Sequence, residues 1–498
     1  MVLTQAARTK GISSSAVRGG SKCDWVTHSA CPNWRSAVCF SSENVTFQLN
    51  TIMAFQVQWT KFDLSPSLSP ESKEAYSIYS LLCWSSDLTV EVNGKEWDRD
   101  DCIRMLNDSD KKKETAVPLI VKMGSNLNEK GVLEEDIAAL KSYADSSNLI
   151  SGWESRWIEA LLAFANDDVY TFISTLDDHL AEFTDDVFTA YVQYFAIFSI
   201  GDSFGYKSNL SGLNVDGYYK AIWDAYLGFS KIELGEPEGV EELVSNALAF
   251  APQNGWIIHA YIHYLDYYGK IEEGISLLRD MEPVLGKSVL KCHNTWHLAQ
   301  FEVYVGDYSS AKMRYEFEIA CGYVCRFMID DAASLLLAIE LADFEVTSSD
   351  WEIMKNSVEL FIDSHPQVFH DSHLWLACFK IGDPKQVSRC LDSVKKFAQN
   401  SLVYKKFGVK LCEALKLFVD KKFSAASDAL FHLRGFIRQG YGGSLAQRHL
   451  YWKILCACLV SSDRELDKLR LKKVHHEVNL LFPHSEGFKK SLKNLKEW

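Results

Sequence analysis

Apolar residues recur along most of this chain at the i, i+3, i+4 spacing of amphipathic helices, and the helical stretches are punctuated at a regular interval. Asp167, Gly201, Gly235 and Gly269 stand 34 residues apart, each ending an apolar-periodic stretch, and Gly306 follows 37 later. A fixed period of that size marks a repeated helix–turn–helix unit in which every copy buries its apolar face against the next. The three extra residues are expected in a loop at Glu282-Pro283-Val284-Leu285-Gly286, where added length costs little. Gly382 and Lys421 look like later turn positions at looser spacing.

The clearest copies read YYGKIEEGISLL and YVGDYSSAKMRY, with the small residues Gly274 and Ala311 five places after the turn. Gly228, Ala247 and Pro252 also fall where the tetratricopeptide pattern wants small residues or proline. The expected fold is therefore all-α, a tetratricopeptide-type α-solenoid of helical hairpins. Regular repeats are expected over 149–345 and divergent ones over 346–498. A further helical region over 54–148 contains SPESKEAYSIYSLL and GVLEEDIAALKSYA. There Ser69 reads as a cap, with Pro70 in the first turn.

Composition narrows the partners. The 498 residues carry a formal charge of −14, which disfavours nucleic acid, since that binding rests on Lys and Arg neutralising phosphate. No apolar run reaches the ~18 residues of a membrane span. Thirteen cysteines without a regular framework suggest free thiols in a reducing compartment, and so a cytoplasmic protein. Residues 1–53 differ in kind: serine-rich, basic and without helical period, they read as a disordered leader or an extension upstream of Met53, a targeting segment being the alternative.

Two histidine pairs carry the chemistry. Counted from the turn at Gly269, Trp256, His259 and His263 occupy positions 2, 5 and 9; counted from Gly306, His293 and His297 occupy positions 2 and 6. Such positions on the first helix of a repeat line its inner, concave side. Asn294, Trp296, Asp330, Asp331 and, from the turn at Gly382, His373 with Asp371 beside it fall in the same zone. An i,i+4 pair sets two imidazoles about 6 Å apart on one helix face, a spacing that a metal ion or phosphate can bridge.

WxxHxxxH, CHNxWH, DxxS (Asp331 to Ser334) and GGSxAQR (Gly442 to Arg448) occur in that order, and the set resembles the tetratricopeptide repeat protein 38 family over residues 60–490. The resemblance implies a helical-repeat fold and a cytosolic protein of undefined biochemical role. Ala338 and Asp350 stand where relatives usually carry arginine, and His449 stands where they carry aspartate. An anionic ligand held by those arginines would be lost here.

Three readings of the histidines stay open. They are hydrogen-bonded residues that fix hairpin stacking; or they and Trp296 clamp a protein, peptide or small-molecule ligand in the groove of a binding or scaffold protein; or His259, His263, His293 and His297 hold a transition metal in a hydrolase-like enzyme, with Asp330 or Asp331 orienting an imidazole. The binding protein, without a cofactor, is the principal expectation. Other motifs fail on context. Ser203 in Gly201-Asp-Ser-Phe-Gly205 lies in a hairpin turn rather than a strand–helix elbow. Cys321 and Cys325 lack a second pair at zinc-ribbon spacing.

Overall fold

A computed structural model describes residues 68–493 apart from 86–88, 93–94, 110–114, 128–133, 146–150, 167, 203–204, 206–214, 216, 287 and 321–325. The 1–53 segment, Asp167, Ser203, Cys321 and Cys325 lie outside the described residues. In chain order the elements are α1 Pro70–Ser85, β1 Thr89–Val92, β2 Lys95–Asp98, α2 Arg99–Ser109, α3 Val117–Asn126, α4 Glu134–Asp145, α5 Gly152–Ala165, α6 Val169–Glu182, α7 Val187–Ser199, α8 Gly217–Leu234, α9 Val240–Phe250, α10 Gly255–Tyr267, α11 Ile271–Leu285 and α12 Lys291–Val305. They continue as α13 Tyr308–Arg314, α14 Arg326–Leu341, α15 Ser348–Glu352, α16 Lys355–Phe361, α17 Val368–Ile381, α18 Pro384–Phe397, α19 Val409–Val419, α20 Phe423–Arg438, α21 Leu445–Val460, α22 Glu465–Leu481 and α23 Glu486–Lys493. Among the described residues the fold is helical but for one hairpin, in which Val90 pairs with Trp97.

The expected turn residues end helices. Gly201, Gly235, Gly269, Gly306 and Gly382 have φ between 67° and 89°, and Lys421 has φ 60°. This left-handed conformation closes a helix and is open to glycine without a Cβ clash. The small positions let paired helices touch: a Cβ on Gly274 would lie 2.2 Å from the Phe301 ring. The insertion after Gly269 is not the expected loop. Helix α11 runs through Pro283 to Leu285, so the extra residues are taken up as added helix, although the proline gives up one helical N–H bond, to the Arg279 carbonyl.

First helices of successive hairpins pack on one another, α8 on α10, α12 on α14, α14 on α17 and α17 on α19. They are buried almost all round; in α10 only Tyr261 is not. Second helices are amphipathic: α18 buries Gln386, Cys390 and Val394. The inner layer is completed by the chain itself. Helix α21 (LAQRHLYWKILCACLV) has no continuous polar face and is buried along most of its length, Arg448, His449 and Lys453 included, and it packs against α14. Its Leu445 N–H donates to the Glu233 carboxylate of α8 at 2.8 Å, and Lys453 donates to Gln300 of α12 at 3.4 Å. Gly442 and Gly443 adopt positive φ, Ser444 and Gln447 form a capping box, and Arg448 donates to the carbonyls of Gly442 and Gly443 at 3.2 and 2.7 Å. The GGSxAQR run is thus the turn that launches α21. Among the described residues no helix is long and apolar enough to cross a membrane.

Candidate metal centre

The helix bearing His259 and His263 is fixed at its start by Asn254. Its Oδ1 accepts from the N–H groups of Trp256 (2.8 Å) and Ile257 (3.0 Å), and its Nδ2 donates to the carbonyl of Trp84 in α1 (2.9 Å). One side chain therefore caps α10 and ties it to the N-terminal region. Helix α12, with His293 and His297, lies next in the inner layer, and Asn294 Nδ2 reaches back to the Gly255 carbonyl at 3.3 Å. Helix α14 supplies the DxxS residues. Asp331 places both carboxylate oxygens 3.1 Å from His293 Nδ1. Ser334 accepts from Trp296 Nε1 at 2.9 Å, and the Trp296 ring stacks on His293 with centroids 5.3 Å apart and planes 12° apart. The motif thus sets both the hydrogen bond and the stacking surface of one imidazole.

These restraints bring four rings together. His259 Nε2 lies 3.1 Å from both His263 Nε2 and His293 Nε2. His259, His263 and His297 each offer a nitrogen within 4.8 Å of the others, and all three are buried, whereas the His293 side chain is 21 % exposed. An imidazole nitrogen has one lone pair or one proton in the ring plane, so His259 Nε2 cannot complete a hydrogen bond with two neighbours at once. Asp331 accepts the Nδ1 proton of His293, which in the neutral ring leaves a lone pair on Nε2 facing His259. Among the described residues His297 Nε2 has no hydrogen-bond partner. Burial, reinforced by the neighbouring imidazoles, holds His259 and His297 well below 6.5, and burial pulls His263 down to about 3. These rings are neutral, the form that ligates metals.

A wider shell follows. His449 of α21 has Nδ1 3.0 Å from the Tyr304 hydroxyl and stacks on Phe488 with centroids 3.7 Å apart. Burial lowers Lys453 to about 8 and raises Asp266 to about 7.

Not every expected residue joins the cluster. Trp256 packs instead against Phe195 and Tyr226, and Asn294 is buried between α10 and α12. Asp330 pairs with His370 Nδ1 at 2.5 Å, and His373 Nδ1 is hydrogen-bonded to its own helix at the Phe369 carbonyl, 2.9 Å away. His370, Tyr304 and His449 were not singled out by the repeat count. His370 could have been found as a third histidine one turn from His373; the Tyr304–His449 contact spans 145 residues and leaves no local signal. At the expected concave groove α21 covers the inner side, its His449 meeting Tyr304 of α12, and three of the four histidines are buried. A count within each unit cannot reveal that a later unit folds across it. No protein-family model matches the chain.

Proposed function

We propose that the protein is a tetratricopeptide-type helical-repeat protein, of the tetratricopeptide repeat protein 38 kind, that holds one transition metal ion through His259, His263, His293 and His297. The observation that carries this reading is the convergence of ring nitrogens at 3.1 Å on His259 Nε2. Metal–imidazole bonds of ~2.0–2.1 Å arranged tetrahedrally put neighbouring nitrogens about 3.3–3.4 Å apart, close to the 3.1 Å at which the His263 and His293 nitrogens stand from His259 Nε2, while His297 offers a nitrogen within 4.8 Å of those of His259 and His263. A metal accepts every lone pair that the hydrogen-bond count leaves unmatched. Asp331 stands where a carboxylate orients a ligating histidine and strengthens its basicity. An all-imidazole set suits zinc, copper, nickel or iron rather than calcium or magnesium.

The covered inner face favours this over the peptide-binding reading, because a peptide there would have to displace α21. The fourth histidine favours a closed, structural or storage site over a hydrolytic one, which keeps an open position. The absence of disulfides among the described cysteines fits a cytoplasmic setting. Elemental analysis of the purified protein tests the proposal. About one metal per chain, lost in the His263→Ala/His297→Ala variant while helicity is retained, is expected; a metal-free protein that takes up none of zinc, copper, nickel or iron on reconstitution would overturn it.

A further inference from the structure

Away from the histidine cluster, three side chains that no sequence motif connects form a hydrogen-bonded chain. Ser393 Oγ lies 2.8 Å from His365 Nε2, and His365 Nδ1 lies 2.6 Å from Asp371 Oδ2. Ser393 is on α18, His365 precedes α17, and Asp371 is in the first turn of α17. His365 and Asp371 are buried, while Ser393 is half-buried at the surface. Serine at one ring nitrogen and a buried carboxylate at the other is the arrangement that activates a serine nucleophile, and it is recognised by geometry rather than by order along the chain.

The surroundings restrain the imidazole as such a base requires. Tyr404 donates to the same Asp371 oxygen at 2.9 Å, fixing the carboxylate. Phe397 and Tyr404 hold the His365 ring from two sides, with centroids 4.9 and 5.7 Å away. With Asp371 accepting the Nδ1 proton, Nε2 carries the lone pair toward Ser393. Asp363 is a second acceptor within hydrogen-bond reach of Ser393, and it competes with His365 Nε2 for the single hydroxyl proton. Arg389 clamps that carboxylate through Nε at 3.0 Å and Nη2 at 2.5 Å and so offsets its charge. Arg389, one helical turn before Ser393 on α18, also donates to Glu359 through Nη1, so its charge is shared between two carboxylates beside the serine.

We propose that Ser393, His365 and Asp371 form an acyl-transfer site that hydrolyses small, accessible esters. Ser393 Oγ attacks the acyl carbon while its proton passes to His365 Nε2; the C–O bond to the leaving group breaks, and that proton goes to the departing alkoxide. Water then adds to the acyl-serine through the same relay, giving a carboxylic acid and an alcohol. Ser393 and His365 are the catalytic residues, and Asp371 is a positioning residue.

The test is labelling of the full-length protein with a fluorophosphonate, in which Ser393 Oγ displaces fluoride, followed by peptide mapping and by hydrolysis of an aryl acetate. Expected are modification mapped to Ser393 and its loss by at least tenfold in Ser393→Ala and in His365→Gln, both with unchanged circular dichroism. Asp371→Asn keeps the fold but lowers the turnover number more than it changes KM and alters the pH profile, which a merely structural role would not do. If folded wild-type protein is labelled at Ser393 no faster than urea-unfolded protein, or if Ser393→Ala hydrolyses the acetate as fast as the wild type, the proposal falls. Neither result bears on the metal content of the histidine cluster, so the two sites fail or stand separately.

Discussion

Asp331→Asn isolates the part of the metal reading that hydrogen bonding alone cannot supply. The carboxylate presents both oxygens at 3.1 Å to His293 Nδ1 and is buried beneath it. The amide is isosteric and keeps one acceptor, so His293 stays in place, but the negative charge that raises its basicity is lost. Replacing such an outer carboxylate typically weakens metal binding ~10–100-fold, or about 1.4–2.7 kcal/mol. The variant's zinc or cobalt dissociation constant, from competition with a chromophoric chelator, should rise by that factor while stoichiometry remains one. The metal-dependent rise in stability should shrink in step, because ligand stabilisation follows RT ln(1 + [L]/Kd). The metal-free variant should unfold within about 1 kcal/mol of the metal-free wild type, since one hydrogen bond is retained. Equal affinities in Asp331→Asn and wild type would refute the assigned role. A large loss of metal-free stability would show that Asp331 acts chiefly in packing α12 against α14.

Two further expectations concern buried carboxylates. Asp186 accepts from Tyr76 (2.8 Å), Trp153 (2.7 Å), His179 (2.9 Å) and Thr189 (2.6 Å), so Asp186→Asn, whose amide opposes these donors, should cost about 3–5 kcal/mol in urea unfolding. Burial pushes the Asp186 pKa up, but its bonds to His179, Thr189 and Tyr76 outweigh that and hold it below 3.8. Its contribution is therefore present above pH ~4 and lost as pH falls through the lower folded value; a wild-type acid-unfolding profile unchanged in the variant would contradict this. Glu233 is shifted the other way, raised by burial to about 7 against the lowering effects of Arg448 and the Leu445 N–H. The folded state then keeps a proton that the unfolded state releases between pH 4.5 and 7, so its contribution is complete below 4.5 and fades as pH rises through 7. Glu233→Gln should flatten this slope and gain on the order of 3 kcal/mol at pH 8 relative to wild type, read as urea midpoints at pH 5 and 8; parallel pH dependences would refute it.

Repeat spacing carried most of the local fold because it reports a backbone requirement. A residue that must close a helix in the left-handed region is selected at each turn, which makes Gly235, Gly269 and Gly306 visible as punctuation and even exposes Lys421, where φ is 60°. The same reasoning misplaced the insertion after Gly269. A proline three residues before a glycine suggests a loop, yet Pro283 lies inside α11, where it gives up a helical N–H bond and the packing of α11 against α12 prevails. The β1–β2 hairpin escaped because its strands of four residues each are too short to show an alternating pattern against a helical background.

The site was legible only as far as it is local. His259 and His263 share a helix face through i,i+4 spacing, and His293 and His297 repeat that spacing three positions, or nearly one turn, earlier in the next unit, so that both pairs lie on the inner side follows from the count. Which carboxylate meets them does not. Asp330 and Asp331 are adjacent and chemically alike, but consecutive helical positions point about 100° apart; one reaches His293 and the other His370, and only the rotation of α14 between α12 and α17 decides which. Covering of the cluster lies further still from any local signal. It depends on α21, about 150 residues downstream, whose lack of a polar face demands burial without naming the surface that provides it. A helix of that kind placed after a run of hairpins with polar inner positions implies closure of the chain on itself. The burial that keeps His259, His263 and His297 neutral thus includes a contribution from a part of the sequence that supplies none of the proposed ligands.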